Sequence, residues 1–411
     1  MDRRTFLTKC LGCSAGLYLF PPARNIHSEI KIKNKLTENR FPKNLRILEL
    51  HGSPGERGRI HGETLRSEIK ELTGIWKDDL GRSLRSNPDK YIEEFVNNTN
   101  FLKAMKKWTP GLVEEVKGIS EGSGIDYQSI YAFQMPDEEW WFGRERRIKL
   151  IRSQRMNCSC IGAWGQDGYP ALIAQNMDIP QFFDGYQVLK HIKYPDSDFQ
   201  SYVFSVAGLI ALNGMNNHSV GVCVNAILQL DNSKDGLPVA YVNRGILDQK
   251  NFNDAVNFVR NIKHASGQNY VIGGKDRVRS FECSANKVVE FLPFQGAKRV
   301  YHTNHPVVND DKGIYEKLMD KYYPEYKKKS LTNSEIRQNF LQSKLKDESK
   351  NVTAETVKSI LGSHEIPICF HKRPGAFSFT AGCTIMLLSS EPEFLVAPGP
   401  GCSTEFEKYK Y

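Results

Sequence analysis

The stretch that decides the fold is "NCSCIGAWGQDGYPALIAQNMDIP", residues 157–180. Two cysteines one residue apart, Cys158 and Cys160, head an apolar strand-like run. The chain turns at Gly168 and returns as a second apolar run ending in Asn176-Met177-Asp178. A Cys-x-Cys pair admits metal ligation, a redox couple or a single nucleophile. Zinc sites take Cys and His in matched pairs, and no histidine lies in this segment. Alternate residues of a strand share a face, so the two thiols can meet, but the Cys-x-x-Cys spacing and flanking helix of thioredoxin-like motifs are missing. The third chemistry needs less. A cysteine that becomes the first residue of its own chain carries an α-amine beside its sulfur. With a reference pKa of about 7.7–8.0, that amine can take the thiol proton near neutral pH without a histidine. The Asn157–Cys158 peptide bond must then break first, by attack of Cys158 on the Asn157 carbonyl.

Outward from this segment the chain divides by composition. "MDRRTFLTKCLGCSAGLYLFPPA", residues 1–23, has paired arginines, then Phe6-Leu7, then an apolar run over 10–20. That run is shorter than the roughly 20 residues a membrane-crossing helix needs. The pattern reads as an export signal of the twin-arginine kind, placing the protein in the periplasm or cell envelope. Membrane association is expected only if Cys13 is lipidated. The remaining basic excess of a chain with formal net charge +9 is spread in short runs without interleaved stacking aromatics, which argues against nucleic acid as a partner. Of nine cysteines, those beyond the signal are odd in number, as expected when one thiol is kept for chemistry. The other six (Cys160, Cys223, Cys283, Cys369, Cys383 and Cys402) are expected to pack as small hydrophobes. No metal or cofactor is expected.

Residues 24–157 read as a linker and a mainly helical preface. A strand at 45–50 leads through Gly55, Gly58 and Gly62, read as turn glycines, into helices. Thr109 is a candidate cap, and Pro110, Glu114 and Glu115 suit a helix start. Residues 158–411 form a β-rich body: strands to 230, two helices, a four-strand meander, a lysine-rich helical stretch at 310–362, and three closing strands. Strands, helices and strands again imply stacked antiparallel sheets with helices outside them, with 24–411 as one structural unit.

With these residues in view, the nucleophile segment resembles that of the cysteine N-terminal-nucleophile amidases. These are the acyl-CoA:6-aminopenicillanic acid acyltransferase family and, more distantly, bile-salt hydrolase and penicillin V acylase. The family order of Cys, Ser or Thr, apolar strand, glycine turn, second strand and Asn-x-Asp is met by Cys158-Ser159, Gly168 and Asn176-Met177-Asp178. "SPGERGRIHG" (53–62), "PGLVEEVKGISEGSG" (110–124), "GMNNHSVGVCVN" (214–225), "HTNHP" (302–306), "FTAGCTIMLL" (379–388) and "FLVAPGPG" (394–401) extend the resemblance in order. It implies an α+β αββα sandwich, cut between Asn157 and Cys158. It implies Cys158 as nucleophile and, through its amine, base; Asp178 as the residue that orients the amine; and Asn225 and Asn304 as oxyanion donors. On spacing alone, each of the last three also reads as a turn or strand-end residue. His61, His302 and His305 are expected to be structural, and Ser159 and Trp164 to serve packing and local hydrogen bonds. Gln175 and Phe370 stand where relatives carry arginines, with Arg373 a candidate substitute.

The expected activity is hydrolysis of a linear amide in a small N-acyl substrate through a thioester on Cys158. Acyl transfer to an amine such as 6-aminopenicillanic acid is the alternative, and a non-catalytic envelope binding protein of the same fold is the alternative from another class.

Overall fold

The computed structural model describes residues 45–147, 157–325 and 330–411. The expected export signal, the linker to residue 44 and the segment 148–156 lie outside these. The described residues belong to one compact unit.

β1 (Arg46–Leu50) is followed by seven helices: α1 (Pro54–Thr64), α2 (Arg66–Leu84), α3 (Pro88–Asn97), α4 (Phe101–Trp108), α5 (Pro110–Ser123), α6 (Tyr127–Phe133) and α7 (Pro136–Phe142). The body begins with β2 (Ser159–Ala163), β3 (Ala171–Pro180), β4 (Gln187–Lys193), β5 (Gln200–Val206), β6 (Asn213–Asn216) and β7 (Gly221–Ala226). Helices α8 (Val239–Leu247) and α9 (Phe252–Asn261) precede β8 (Gln268–Gly273), β9 (Val278–Cys283), β10 (Val288–Phe291) and β11 (Arg299–His302). Then come α10 (Gly313–Tyr322), α11 (Asn333–Leu345), α12 (Ala354–Leu361), β12 (Ser378–Leu388), β13 (Glu393–Ala397) and β14 (Glu407–Lys410).

Two sheets form. One has the order β1-β4-β5-β6-β7-β8-β9-β10, the other β11-β2-β3-β12-β13-β14. The second is antiparallel throughout, but β1 runs parallel to β4, a departure from the all-antiparallel expectation. A parallel neighbour needs a long connection, and the helical preface between β1 and β4 supplies one. Strands β2 and β3 pack face to face on β7 and β8, α8 and α9 cover the outer face of the first sheet, and α11 and α12 that of the second. The result is the expected αββα sandwich.

Period-two alternation explains the layering. Cys160 of β2 and Ile173 and Met177 of β3 join the core between the sheets, whereas Ile161, Ala163, Leu172 and Ala174 join a second core beneath α11 and α12. Because both faces are covered, β3 reads as a continuous apolar run rather than an amphipathic one. The closing pair of expected strands, at 376–390, is one long strand, β12, bent by a register shift between Thr380 and Gly382. The short β6 and β14 carry too little apolar pattern to be seen from sequence.

The glycines of the preface have a different use from the one their spacing suggests. Gly52, at φ +84°, makes the turn, while Gly55, Gly58 and Gly62 lie inside α1. A Cβ on Gly58 would meet the Glu115 carbonyl oxygen at 2.0 Å, and one on Gly122 the Arg59 carbonyl oxygen at 2.4 Å. Gly58 and Gly62 thus let α1 lie backbone to backbone on Gly118 and Gly122 of α5. The Thr109 side chain makes no cap hydrogen bond to α5. Glu115 does not serve the helix start either. It is fully buried and paired with Arg244 at 2.7 and 3.1 Å and Arg57 at 3.4 Å, which ties the preface to α8.

Burial alone would raise the Glu115 carboxyl's pKa, but Arg244 and Arg57 more than reverse this and hold it at about 2. Its depressed pKa stabilises the fold above the ordinary glutamate range, and that stabilisation is lost as pH falls from about 4.5 toward about 2. Glu115→Gln leaves Arg57 and Arg244 buried without their counter-charge. Urea unfolding at neutral pH is expected to show a loss of roughly 3–5 kcal/mol, and the acid-side slope to flatten over that window.

Candidate active site

Cys158 lies just before β2, beside the end of β3. Its Sγ accepts the Asp178 backbone N–H at 3.4 Å and stands 3.9 Å from Met177 Sδ. Asn157 is anchored by its Nδ2, which donates to Ser378 Oγ at 2.9 Å. Burial, then the neighbouring Asp178 charge, push the Cys158 thiol's pKa up to about 12. In the unbroken chain the sulfur is therefore held as a thiol.

Asp178 is fully buried, and neither of its carboxylate oxygens has a hydrogen-bond partner within normal geometry. Burial raises its pKa to about 8, against the opposing pull of the Thr380 hydroxyl, which sits opposite on β12, and of Arg337. A buried acid with two unused acceptors is costly. An ammonium group created at Cys158 would supply the missing donors and charge.

Arg337, on α11, was not singled out by its sequence context. It is fully buried; Nη1 donates to the Cys158 carbonyl oxygen at 2.7 Å and to Ser159 Oγ at 2.9 Å, and Nη2 donates to Asn304 Oδ1 at 3.0 Å. Thr332 and Glu335 form a capping box that starts α11, and the Asn333 side chain accepts from Arg337 Nε at 2.9 Å. The same helix start grips the loop after β11: Asn304 N–H donates to Ser334 Oγ at 2.7 Å and Thr303 Oγ1 to the Ser334 carbonyl at 2.9 Å. The sequence signal available was "TNSE" before a helix. Nothing in it says that the following arginine is buried.

The four expected residues are treated unequally by their surroundings. Cys158 and Asp178 touch. Asn304 reaches them through Arg337, and its Nδ2 donates one hydrogen to the Ala226 carbonyl at 3.0 Å, leaving the second. Asn225, on β7, accepts from Asn269 Nδ2 at 3.2 Å, and its own buried Nδ2 has no acceptor among the described residues. Gln175 bridges the sheets: its Oε1 accepts from Asn213 Nδ2 at 2.9 Å and the Val224 N–H at 3.2 Å. Arg373 is exposed, and its backbone pairs with the Gln181 side chain. The cation beside Cys158 is Arg337, not Arg373.

The histidines are structural. The Gly208 N–H donates to His61 Nε2 at 3.0 Å, and His302 pairs with buried Glu282 at 2.7 Å. Glu282 also accepts three successive backbone N–H groups, Val307 to Asn309, which fixes the loop carrying Asn304. Ser159 takes part as the Arg337 acceptor already described, and Trp164 donates from Nε1 to the Val278 carbonyl at 2.9 Å. Five of the six remaining cysteines, Cys160, Cys223, Cys283, Cys369 and Cys383, are buried as expected; Cys402 is exposed, its Sγ 3.3 Å from that of Cys369.

A cleft opens over Cys158, Met177 and Asp178. Its walls are mostly apolar: Trp76, Leu80, Phe133, Phe182, Phe183 and Leu212. Among the described lining residues Arg147 is the one cation, and it is paired with Glu139 at 2.7 Å.

Residues 164–394, more than half of the chain, match the acyl-coenzyme A:6-aminopenicillanic acid acyl-transferase family. The match includes Asp178, Asn225 and Asn304 and begins after Cys158. "Protein dcd1A" of Dictyostelium discoideum is 25% identical over 252 residues, 54% of each chain, so the chain spans about half the length of this curated relative. Among solved structures, an N-acylethanolamine-hydrolyzing acid amidase ortholog from Caenorhabditis elegans is 15% identical at a TM-score of 0.39, covering 56% of this chain and 92% of its own. Penicillin V acylase from Agrobacterium tumefaciens is 14% identical at 0.38, covering 61% and 86%. A mutant of the conjugated bile acid hydrolase from Clostridium perfringens is 13% identical at 0.37, covering 61% and 97%.

Two measurements check the site's electrostatics. In an uncleavable Cys158→Ala chain, the raised Asp178 pKa stabilises relative to the unfolded state below about pH 4, and this is lost as pH rises toward about 8. Adding Asp178→Asn is expected to remove that slope from the urea-unfolding profile. Arg337→Gln withdraws the clamp on Asn304 and on the Cys158 carbonyl, and turnover is expected to fall by roughly 10²-fold or more, as when one oxyanion-hole donor is lost. The chain belongs to the acyl-coenzyme A:6-aminopenicillanic acid acyl-transferase family.

Proposed function

We propose that this enzyme cuts itself between Asn157 and Cys158 and then hydrolyses the amide of an N-acyl compound with a long apolar acyl group. The observation that carries this reading is the apolar cleft ending on Cys158 and Asp178. The freed Cys158 amine takes the thiol proton, and the sulfur attacks the substrate carbonyl. The carbonyl oxygen becomes an oxyanion that the Asn225 and Asn304 amides stabilise. The amine leaves with the proton, a thioester remains on Cys158, and water releases the acid. Asp178 holds the α-amine through these steps.

The amine portion is proposed to be uncharged. The cleft offers no unpaired cation among its described lining residues, while Asp79, Asp137 and Asp178 line it. A carboxylate on the leaving group has no counter-ion there. This favours an N-acyl amino alcohol over an N-acyl amino acid. Acyl transfer to an amine is the second reading, favoured by the family's own description. Export is part of the proposal and rests on the twin-arginine-like start.

A series of N-acyl amino alcohols of increasing chain length tests the reading. At about 0.8 kcal/mol per buried CH₂, kcat/KM is expected to rise roughly fourfold per methylene until the cleft is filled. N-acyl amino acids of the same acyl group should be poorer, and Cys158→Ala inactive. A flat series, or a preference for the amino acid conjugate, overturns the substrate assignment. Faster acyl transfer to added 6-aminopenicillanic acid than to water overturns hydrolysis.

A further inference from the structure

Outside the cleft lining, four side chains able to bind a metal converge from two separate segments, the α12–β12 connection and the β13–β14 turn. His364 follows α12, Cys369 and His371 lie on the segment leading to β12, and Cys402 sits in the turn between β13 and β14. His371 Nε2 stands 3.2 Å from His364 Nε2 and 3.1 Å from Cys402 Sγ, and Cys402 Sγ is 3.3 Å from Cys369 Sγ. All four ligand atoms lie within 4.8 Å of one another. Metal–ligand bonds of about 2.3 Å to sulfur and about 2.0–2.1 Å to nitrogen, set tetrahedrally, place ligand atoms about 3.3–3.8 Å apart. The three short edges, 3.1–3.3 Å, lie a few tenths of an ångström inside that geometry, and the remaining separations stay within 4.8 Å, so small side-chain shifts bring all four atoms onto one ion. Hydrogen bonding is a poorer account. An imidazole nitrogen carries either a proton or an in-plane lone pair, so His371 Nε2 serves only one of its two close partners well. A cation at the centre serves all four.

The backbone frame for these ligands is independently fixed. A Cβ on Gly362 would meet the Lys358 carbonyl oxygen at 2.9 Å and Cys402 Cα and Cβ at 3.5 Å, so a glycine there lets the Cys402 turn rest on the end of α12. That turn is closed by Ser403 and Thr404 N–H groups, both donating to the Pro400 carbonyl at 3.0 Å. On the other side, Asn176 Nδ2 donates to the Ile368 carbonyl at 2.9 Å, and Phe370 and Thr380 exchange hydrogen bonds: Phe370 N–H to Thr380 Oγ1 at 3.0 Å and Thr380 N–H to the Phe370 carbonyl at 2.9 Å.

We propose that His364, Cys369, His371 and Cys402 form a tetrahedral zinc site that ties the β13–β14 turn to the segment before β12. Cys369 and Cys402 each give up a proton on binding, and their two thiolates neutralise the divalent ion while both imidazoles stay neutral. With all four positions filled by protein, the site is structural rather than catalytic. Its reach to the active site runs through Phe370–Thr380 and Ile368–Asn176, since Thr380 and Asn176 flank Asp178. The ion thereby stiffens the strand positions around the acid that receives the Cys158 amine. The competing arrangement is a Cys369–Cys402 disulfide, which removes both sulfur ligands.

The test uses the full chain, stripped of metal under reducing conditions and titrated with cobalt(II). One equivalent is expected to give the intense visible absorption of tetrahedral cobalt together with thiolate-to-metal charge-transfer bands, both displaced by one equivalent of zinc. Cys402→Ser and His371→Ala, each at an exposed position, are expected to lose these bands, whereas Cys283→Ala, buried elsewhere, keeps them. Zinc should raise the unfolding midpoint of the parent chain but not of Cys402→Ser. Only the weak spectrum of octahedral cobalt with both thiols reduced, or bands that survive Cys402→Ser, overturns the proposal. So does a Cys369–Cys402 disulfide that forms in air with zinc saturating.

Discussion

The buried guanidinium of Arg337 holds three backbone and side-chain oxygens around the start of β2: the carbonyl of Cys158, the hydroxyl of Ser159 and the amide oxygen of Asn304. A charge taken out of water survives only when hydrogen bonds replace its hydration. Here the replacements are the groups whose positions define the site. Burial pulls the Arg337 pKa down to about 10, with the neighbouring Asp178 carboxyl opposing that, so it remains a cation at neutral pH. Helix α11, the strand start at Cys158 and the loop after β11 are thereby locked into one register. The capping box on α11 and the grip of Ser334 on residues 303–305 make that lock local and stiff.

Against this fixed frame, Asp178 stands out as incomplete. Two other buried acids are well satisfied: Glu115 has two arginines, and Glu282 has a histidine and three backbone donors. Asp178 has a carboxylate with no formed partner, at the one place where a chain break would create an ammonium group. The thiol beside it is held protonated while the chain is intact. The unpartnered Asp178 carboxyl is unfavourable in the uncut state, and a new α-amine would supply its donors. Strain of this kind, confined to one residue in a well-packed core, marks where a fold gives up stability for chemistry.

Much of this was legible in the sequence, because the decisive segments have strong periodicity. The Cys158–Pro180 hairpin, the meander from β8 to β11 and the two helices that precede it follow directly from alternation and turn residues. The parts that escaped depend on long-range contact. Gly58 and Gly62 look like turn residues and instead admit a neighbouring helix. Arg337 looks like one more charge in a lysine-rich helical stretch, and only the folded chain buries it. His364, Cys369, His371 and Cys402 have no motif spacing, since the fourth ligand is 31 positions beyond the third and comes from another turn.

The central claim is that the working nucleophile is the first residue of its own chain, with Asp178 waiting for the amine this creates. The most direct measurement is N-terminal sequencing, with intact mass, of each polypeptide in the purified active protein. The account predicts a fragment beginning Cys-Ser-Cys-Ile, absent when Cys158 is replaced by alanine. Full activity from a single uncut chain, or from a fragment with any other first residue, contradicts it.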